Sequence, residues 1–137
     1  MYKVHTPEEV KNLKHLQNKK NVLVRFMMNG CPGCIYSQSD WDDACKRAVL
    51  SPDDAILELE SNFIDDFKRT MQSRTSIEVD KFPTILFIRG RKVIELPKRD
   101  TASILKMLKT VPKKTRRSKR RRRTKRNELP NEPKQNE

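Results

Sequence analysis

Two thiols three positions apart, in Cys31-Pro32-Gly33-Cys34, are the residues of this chain best suited to chemistry. They follow directly on an apolar run from Asn21 to Met28, the pattern of a strand feeding a helix that starts at the pair itself. A helix start leaves its first backbone N–H groups unpaired and carries roughly half a positive charge. A thiol placed there deprotonates more readily, and the thiolate is the species that attacks disulfides and binds metals. Spacing i, i+3 sets the second sulfur one turn on, near enough to close a disulfide with the first.

Half of a zinc site is the competing chemistry. Structural zinc needs four ligands, as two such pairs or as one pair with suitably spaced histidines. Only Cys45, His5 and His15 remain to complete it, and no second pair exists. The ligand count therefore favours a redox dithiol with no metal and no cofactor.

The elements that must position the pair can be read in order. Tyr2-Lys3-Val4-His5 fits a short edge strand, and Thr6-Pro7-Glu8-Glu9 fits a helix start with Thr6 as N-cap. Val10, Leu13 and Leu16 then give that helix a narrow apolar face. The run from Asn21 to Met28 is apolar at almost every position, as in a strand buried on both faces, with Arg25 the interruption. The helix after Cys34 extends to about Val49, with Cys34, Trp41, Cys45 and Ala48 on one core-facing stripe. On that stripe Cys45 reads as an inert packed thiol and Trp41 as core.

A turn at Ser51-Pro52-Asp53-Asp54 leads to a strand over 55–60, after which Ser61 can cap a helix carrying Phe63, Ile64, Phe67 and Met71. Pro83 precedes a hairpin: strand 84–88, a turn at Arg89-Gly90, strand 92–96. Asp100 caps a last helix with Ile104, Leu105, Leu108 and Val111, which Pro112 stops. This order predicts an α/β fold with a central mixed sheet and helices on both faces, spanning residues 1–111.

The combination of Val22 to Phe26, Cys31-Pro32-Gly33-Cys34, Phe82-Pro83-Thr84 and the Phe87-Ile88-Arg89-Gly90 hairpin resembles the thioredoxin superfamily over roughly residues 2–110. Trp41 stands where protein disulfide isomerase domains carry an aromatic. The stretch Phe26-Met27-Met28-Asn29-Gly30-Cys31 looks most like the thioredoxin-like proteins of large DNA viruses. The resemblance implies roles. Cys31, exposed at the helix start, attacks a substrate disulfide, and the more buried Cys34 resolves the mixed disulfide. Pro83 is cis and faces the pair, between Phe82, whose backbone pairs with an extended substrate, and Thr84.

Departures from the family pattern fall in three places: the residues between the cysteines, Arg25, and Ser39, which stands where the resemblance implies a helix-kinking proline eight after Cys31, so that a straighter helix is expected. Pro32-Gly33 is neither the Gly-Pro of thioredoxins nor the Gly-His of the isomerases, and a proline after the first cysteine is similar to glutaredoxins and some oxidants. Pro97-Lys98-Arg99-Asp100 lacks the Gly-Gly pair with which glutaredoxins hold glutathione, so protein disulfides and dithiols are the expected substrates. Many members also place a buried carboxylate six residues before the first cysteine, where this chain has Arg25. A cation there favours thiolates but cannot accept a proton, which leaves water or Glu58 to do so. Alternatively, Arg25 snorkels to the sheet end.

Composition divides the chain. From Val111 to Glu137 there are 12 Lys and Arg against 3 Glu, a net +9, whereas residues 1–110 hold 19 against 15 acids, a net +4. The excess is concentrated in Lys113, Lys114, Arg116 and Arg117, in Lys119, Arg120, Arg121, Arg122 and Arg123, and in Lys125 and Arg126. With no apolar or aromatic residue this run cannot build a core, so residues 112–137 are expected to be a disordered tail. Its charge density suits a polyanion, DNA or RNA, bound through phosphates, and equally a nuclear-localisation signal. The absence of aromatics argues against reading bases.

No secretory signal or apolar span of membrane length is visible, and an odd cysteine count suits a reducing compartment. The expectation is a monomer without membrane partners, in the cytoplasm or nucleus of a cell or host cell, or packaged in a virion. Two functions compete: a thiol–disulfide oxidoreductase carried by its tail, and a redox-inactive thioredoxin-fold scaffold serving as a nucleic-acid-associated packaging protein.

Overall fold

The computed structural model describes residues 1–109. The basic run 113–126 and the expected domain boundary at 111/112 lie outside the described residues.

Five strands form one mixed sheet in the order β1-β3-β2-β4-β5. They are β1 (Tyr2–Val4), β2 (Asn21–Met27), β3 (Asp54–Glu60), β4 (Thr84–Arg89) and β5 (Lys92–Glu95). β1 and β2 both pair parallel to β3, whereas β4 runs antiparallel to β2 and β5 antiparallel to β4. Three α-helices, α1 (Pro32–Arg47), α2 (Ile64–Met71) and α3 (Thr101–Lys109), join two 3₁₀ segments, Pro7–Leu16 and Ser61–Phe63.

All seven residues of β2 are buried, which explains a strand apolar on both faces. Successive side chains alternate between two cores. Val22, Val24 and Phe26 pack with Leu13 and Leu16 of the first 3₁₀ segment and with Phe67 and Met71 of α2. Leu23 packs on the other side with Trp41 and Ala44 of α1 and Ile104 of α3. Arg25 has the same parity as Leu23 and so lies under α1.

Local structure departs from the sequence reading in several places. The first helix is 3₁₀ over its whole length. Its apolar residues, Val10, Leu13 and Leu16, recur every third position, which matches 3.0 residues per turn better than 3.6. Thr6 makes no side-chain cap; Glu9 instead reaches back past it to accept from the His5 backbone N–H at 2.8 Å. Ser61 is not a cap either. The Glu60 carboxylate accepts from Asn62 N at 3.1 Å and from the Ser61 hydroxyl at 2.8 Å, an acid being favoured at a helix start. α1 ends at Arg47, and its buried stripe is Cys34, Ser37, Trp41 and Ala44, with Cys45 and Ala48 half-buried at its margin. In α3 the Asp100 carboxylate accepts from Ser103 N, as the sequence suggests, while Val111 lies outside the described residues.

Arg74 ties three loops together at one end of the sheet. Its guanidinium donates to the carbonyls of Gly90 at 2.7 Å, Lys20 at 2.6 Å and, more weakly, Leu16 at 3.4 Å. Those oxygens end the β4–β5 turn, the approach to β2 and the first 3₁₀ segment, and one rigid fork serves all of them. Arg74→Ala is expected to lower stability by about 2–3 kcal/mol, the range for charge-assisted bonds lost together, and Arg74→Lys to recover less than half. A denaturant midpoint shift measures this; a loss under about 0.5 kcal/mol would show that water serves the three carbonyls as well.

Candidate active site

β2 delivers the chain to the dithiol through Met28, Asn29 and Gly30, and Gly30 adopts φ +80, a left-handed value that favours glycine. The chain then turns so that Cys31 is the N-cap of α1, with Pro32 in the first turn, where its missing N–H costs nothing. Cys31 Sγ accepts from Cys34 N at 3.2 Å, so the first thiol caps the helix bearing the second. Both cysteines are free thiols.

The cis Phe82-Pro83 bond lies across from this turn. A Cβ on Gly33 would stand 3.2 Å from Pro83 Cδ, a tight contact that would ask the proline loop to give by a few tenths of an ångström. Cys31 Sγ is 3.6 Å from the Phe82 carbonyl oxygen, and Phe82 packs over Met27, Cys31 and Cys34. This corrects one expectation. Cys31 is 8% accessible rather than exposed, because the Phe82-Pro83 loop covers it; Cys34 is deeper, at 2%. Thr84 is buried and its hydroxyl donates to the Lys81 carbonyl at 2.7 Å, so it braces the proline turn instead of facing the sulfurs.

The two thiols are electrostatically unequal. The hydrogen bond from the Cys34 thiol, then the backbone N–H groups of Cys34 and Gly33 and the charge of Arg25, hold Cys31 below the ordinary thiol range despite burial. Burial first, and then the hydrogen bond and charge of Cys31, push Cys34 above it. Cys45, half-buried on the far part of α1, is pushed up to about 12 by burial and nearby acids.

Arg25 does not snorkel. It is fully buried, and burial draws its pKa down while Glu58 opposes the shift. One guanidinium nitrogen donates to the Cys34 carbonyl at 2.7 Å and to Ser37 Oγ at 3.1 Å, and the other to Gln38 Oε1 at 3.1 Å. Parallel register sets Glu58 of β3 opposite Arg25, with 3.7 Å between Oε1 and Nη1. Gln38 Nε2 donates to the same Glu58 oxygen at 3.0 Å, and His5 Nε2 lies 2.6 Å from the other, although its ring N–H is not aimed along that line. The guanidinium carbon also stands 6.0 Å from the Trp41 ring centre. Sequence reading named Arg25 and Glu58 but missed Gln38 and Ser37, and considered His5 only as a zinc ligand.

A cavity of about 200 Å³ opens between Met27–Gly30 and the first turn of α1, reaching Cys34 and Gln38. Ile35 and Tyr36 beside it are 69% and 89% exposed. Larger open clefts, of about 360 and 410 Å³, lie along α2 and contain no thiol. Among the described residues no group of three or more His, Cys, Asp or Glu is placed to hold a metal ion, and no helix is long and apolar enough to cross a membrane.

No protein-family model matches the sequence, and comparison with curated proteins gives no match. Solved structures do match. The germline-specific thioredoxin Deadhead of Drosophila melanogaster is 17% identical, with a TM-score of 0.55 over 82% of this chain and 100% of that one. The first thioredoxin domain of mouse protein disulfide-isomerase A4 is 13% identical, with a TM-score of 0.58 over 82% and 76%. Human ERp44 in its zinc-bound form is 13% identical, with a TM-score of 0.57 over 80% of this chain, which spans 31% of that one. These animal proteins lend nothing to the likeness with viral ones. At such identities the likeness is one of fold, and the chain adopts a thioredoxin-like α/β fold with a mixed sheet.

Proposed function

We propose that the chain is a thiol–disulfide oxidoreductase acting on proteins through Cys31 and Cys34. The observation that carries this reading is the unequal dithiol at the start of α1, closed over by a cis proline. Cys31, the readier thiolate, attacks a substrate disulfide; one substrate sulfur leaves as thiolate and a mixed disulfide forms. Cys34 then loses its proton and attacks Cys31 Sγ, releasing the second substrate thiolate and closing the Cys31–Cys34 disulfide. Two electrons pass to the substrate, and run backwards the same steps oxidise it. Exposed Ile35 and Tyr36, with the cavity beside Cys34, offer apolar surface to an extended or partly unfolded chain.

In the same proposal the basic run 113–126 is a separate module that holds phosphates of DNA or RNA, or carries the domain into a nucleus or a virion. Its support is charge density in the sequence.

Three outcomes follow. Reduction of insulin disulfides, or refolding of a scrambled protein, is expected to vanish in Cys31→Ser; activity retained there would refute attack by Cys31, and no activity in the unaltered chain would leave the scaffold reading in its place. Alkylation followed by mass spectrometry across pH is expected to modify Cys31 at lower pH than Cys34 or Cys45, because a lowered pKa populates thiolate earlier. Truncation before Pro112 is expected to keep the activity and abolish retention on nucleic acid. Binding by the full chain should weaken by about 10³–10⁵ between about 50 and 200 mM salt if six to ten phosphates are engaged. Retention by the truncated domain would refute the division of labour.

A further inference from the structure

The structure places a buried cation against the backbone of Cys34, and from that placement we infer that Arg25 makes the Cys31–Cys34 pair an oxidant, so that electrons flow from substrate dithiols into it. This rests on the oxidoreductase reading above and adds its direction.

Arg25 is 0% exposed and its guanidinium holds the carbonyl of Cys34 and the hydroxyl of Ser37, both in the opening turns of α1. Ser37 in turn donates to the Gly33 carbonyl at 2.8 Å, so the cation is coupled to the backbone on either side of Cys34. Glu58, the counter-charge, stands on the neighbouring strand with one oxygen shared between Arg25 and Gln38 and the other beside His5. The ion pair therefore has a direction, its positive end toward the backbone of Cys34.

A disulfide carries no charge, whereas the reduced pair carries a thiolate. A fixed cation stabilises only the second state, and a stabilised reduced state is what makes a dithiol pair oxidising. Arg25 favours the thiolate at both sulfurs, which agrees with the geometry. The helix N-terminus acts in the same sense.

Electrons and protons balance within thiol exchange. A substrate thiolate attacks Cys31 of the oxidised pair, and Cys34 leaves as a thiolate beside Arg25. The second substrate thiolate attacks the substrate sulfur of the mixed disulfide and expels Cys31. The substrate loses two electrons and two protons, and a small disulfide such as glutathione disulfide restores the pair, becoming two thiols.

Equilibration of the full chain with glutathione tests this. In about 10 mM reduced glutathione with about 0.1 mM glutathione disulfide, trapping by alkylation and mass spectrometry should find the pair mostly dithiol. A pair found mostly as disulfide would overturn the inference. Arg25→Met should shift the equilibrium toward disulfide by tenfold or more, with Arg25→Lys restoring part of the loss. Glu58→Gln, which leaves the cation uncompensated, should shift it the opposite way by several-fold. Shifts of the same sign in Arg25→Met and Glu58→Gln would show mere loss of packing and refute the role. If Arg25→Met does not fold, the wild-type position and Glu58→Gln decide. Failure to form any glutathione-exchangeable Cys31–Cys34 disulfide is a distinct result, and it would remove the oxidoreductase reading itself.

Discussion

A charge on the central strand constrains everything around it. β2 is buried along its whole length, and an unpaired guanidinium there would cost several kcal/mol. The chain meets that cost with contacts from both neighbouring layers: Glu58 across the parallel register, and Gln38, Ser37 and the Cys34 carbonyl from α1 above. The contacts that neutralise Arg25 are thereby the ones that fix the first turns of α1. Packing of the helix on the sheet and placement of the second thiol are one arrangement, so the core and the site cannot be altered independently.

The two thiols differ because of where the helix begins. Cys31 occupies the N-cap and takes a backbone N–H into its own sulfur, while Cys34 lies inside the first turn with burial against it. No acidic side chain stands in the first turn of α1 to compete for the same dipole. The site is in this respect built by subtraction as well as addition: no acid stands in the first turn of α1, and the carboxylate that pairs with Arg25 stands on the neighbouring strand.

Element order was legible from apolar runs and from start signals such as Pro83 before a strand and Asp100 before a helix, since these depend on neighbours in sequence. The three-residue recurrence of Val10, Leu13 and Leu16 even carried the 3₁₀ geometry, read as a narrow helical face because α-helix is the commoner outcome. What could not be read depends on register or on distant loops. Arg25 and Glu58 become partners through the parallel alignment of β2 on β3. Burial of Cys31 comes from a loop 51 positions away, and no local pattern announces it. Competition between adjacent polar residues is also invisible at that level: Glu60 takes the cap that Ser61 could have supplied, and Glu9 takes a backbone donor ahead of Thr6.

The close approach of Pro83 to Gly33 narrows the ways in which this site can change. Of the two residues between the cysteines, a side chain at position 33 would meet Pro83 at 3.2 Å, and the loop that must give way also roofs Cys31. A side chain at position 33 is therefore tied to a small shift of the proline loop, whereas position 32, exposed at the helix start, is free of that contact. A lineage or a designer seeking a different thiol chemistry on this scaffold is directed inward, to the strand residues under the helix. There an exchange of charge must also satisfy anew the Cys34 carbonyl, Ser37, Gln38 and Glu58, so thiol chemistry and helix packing change together.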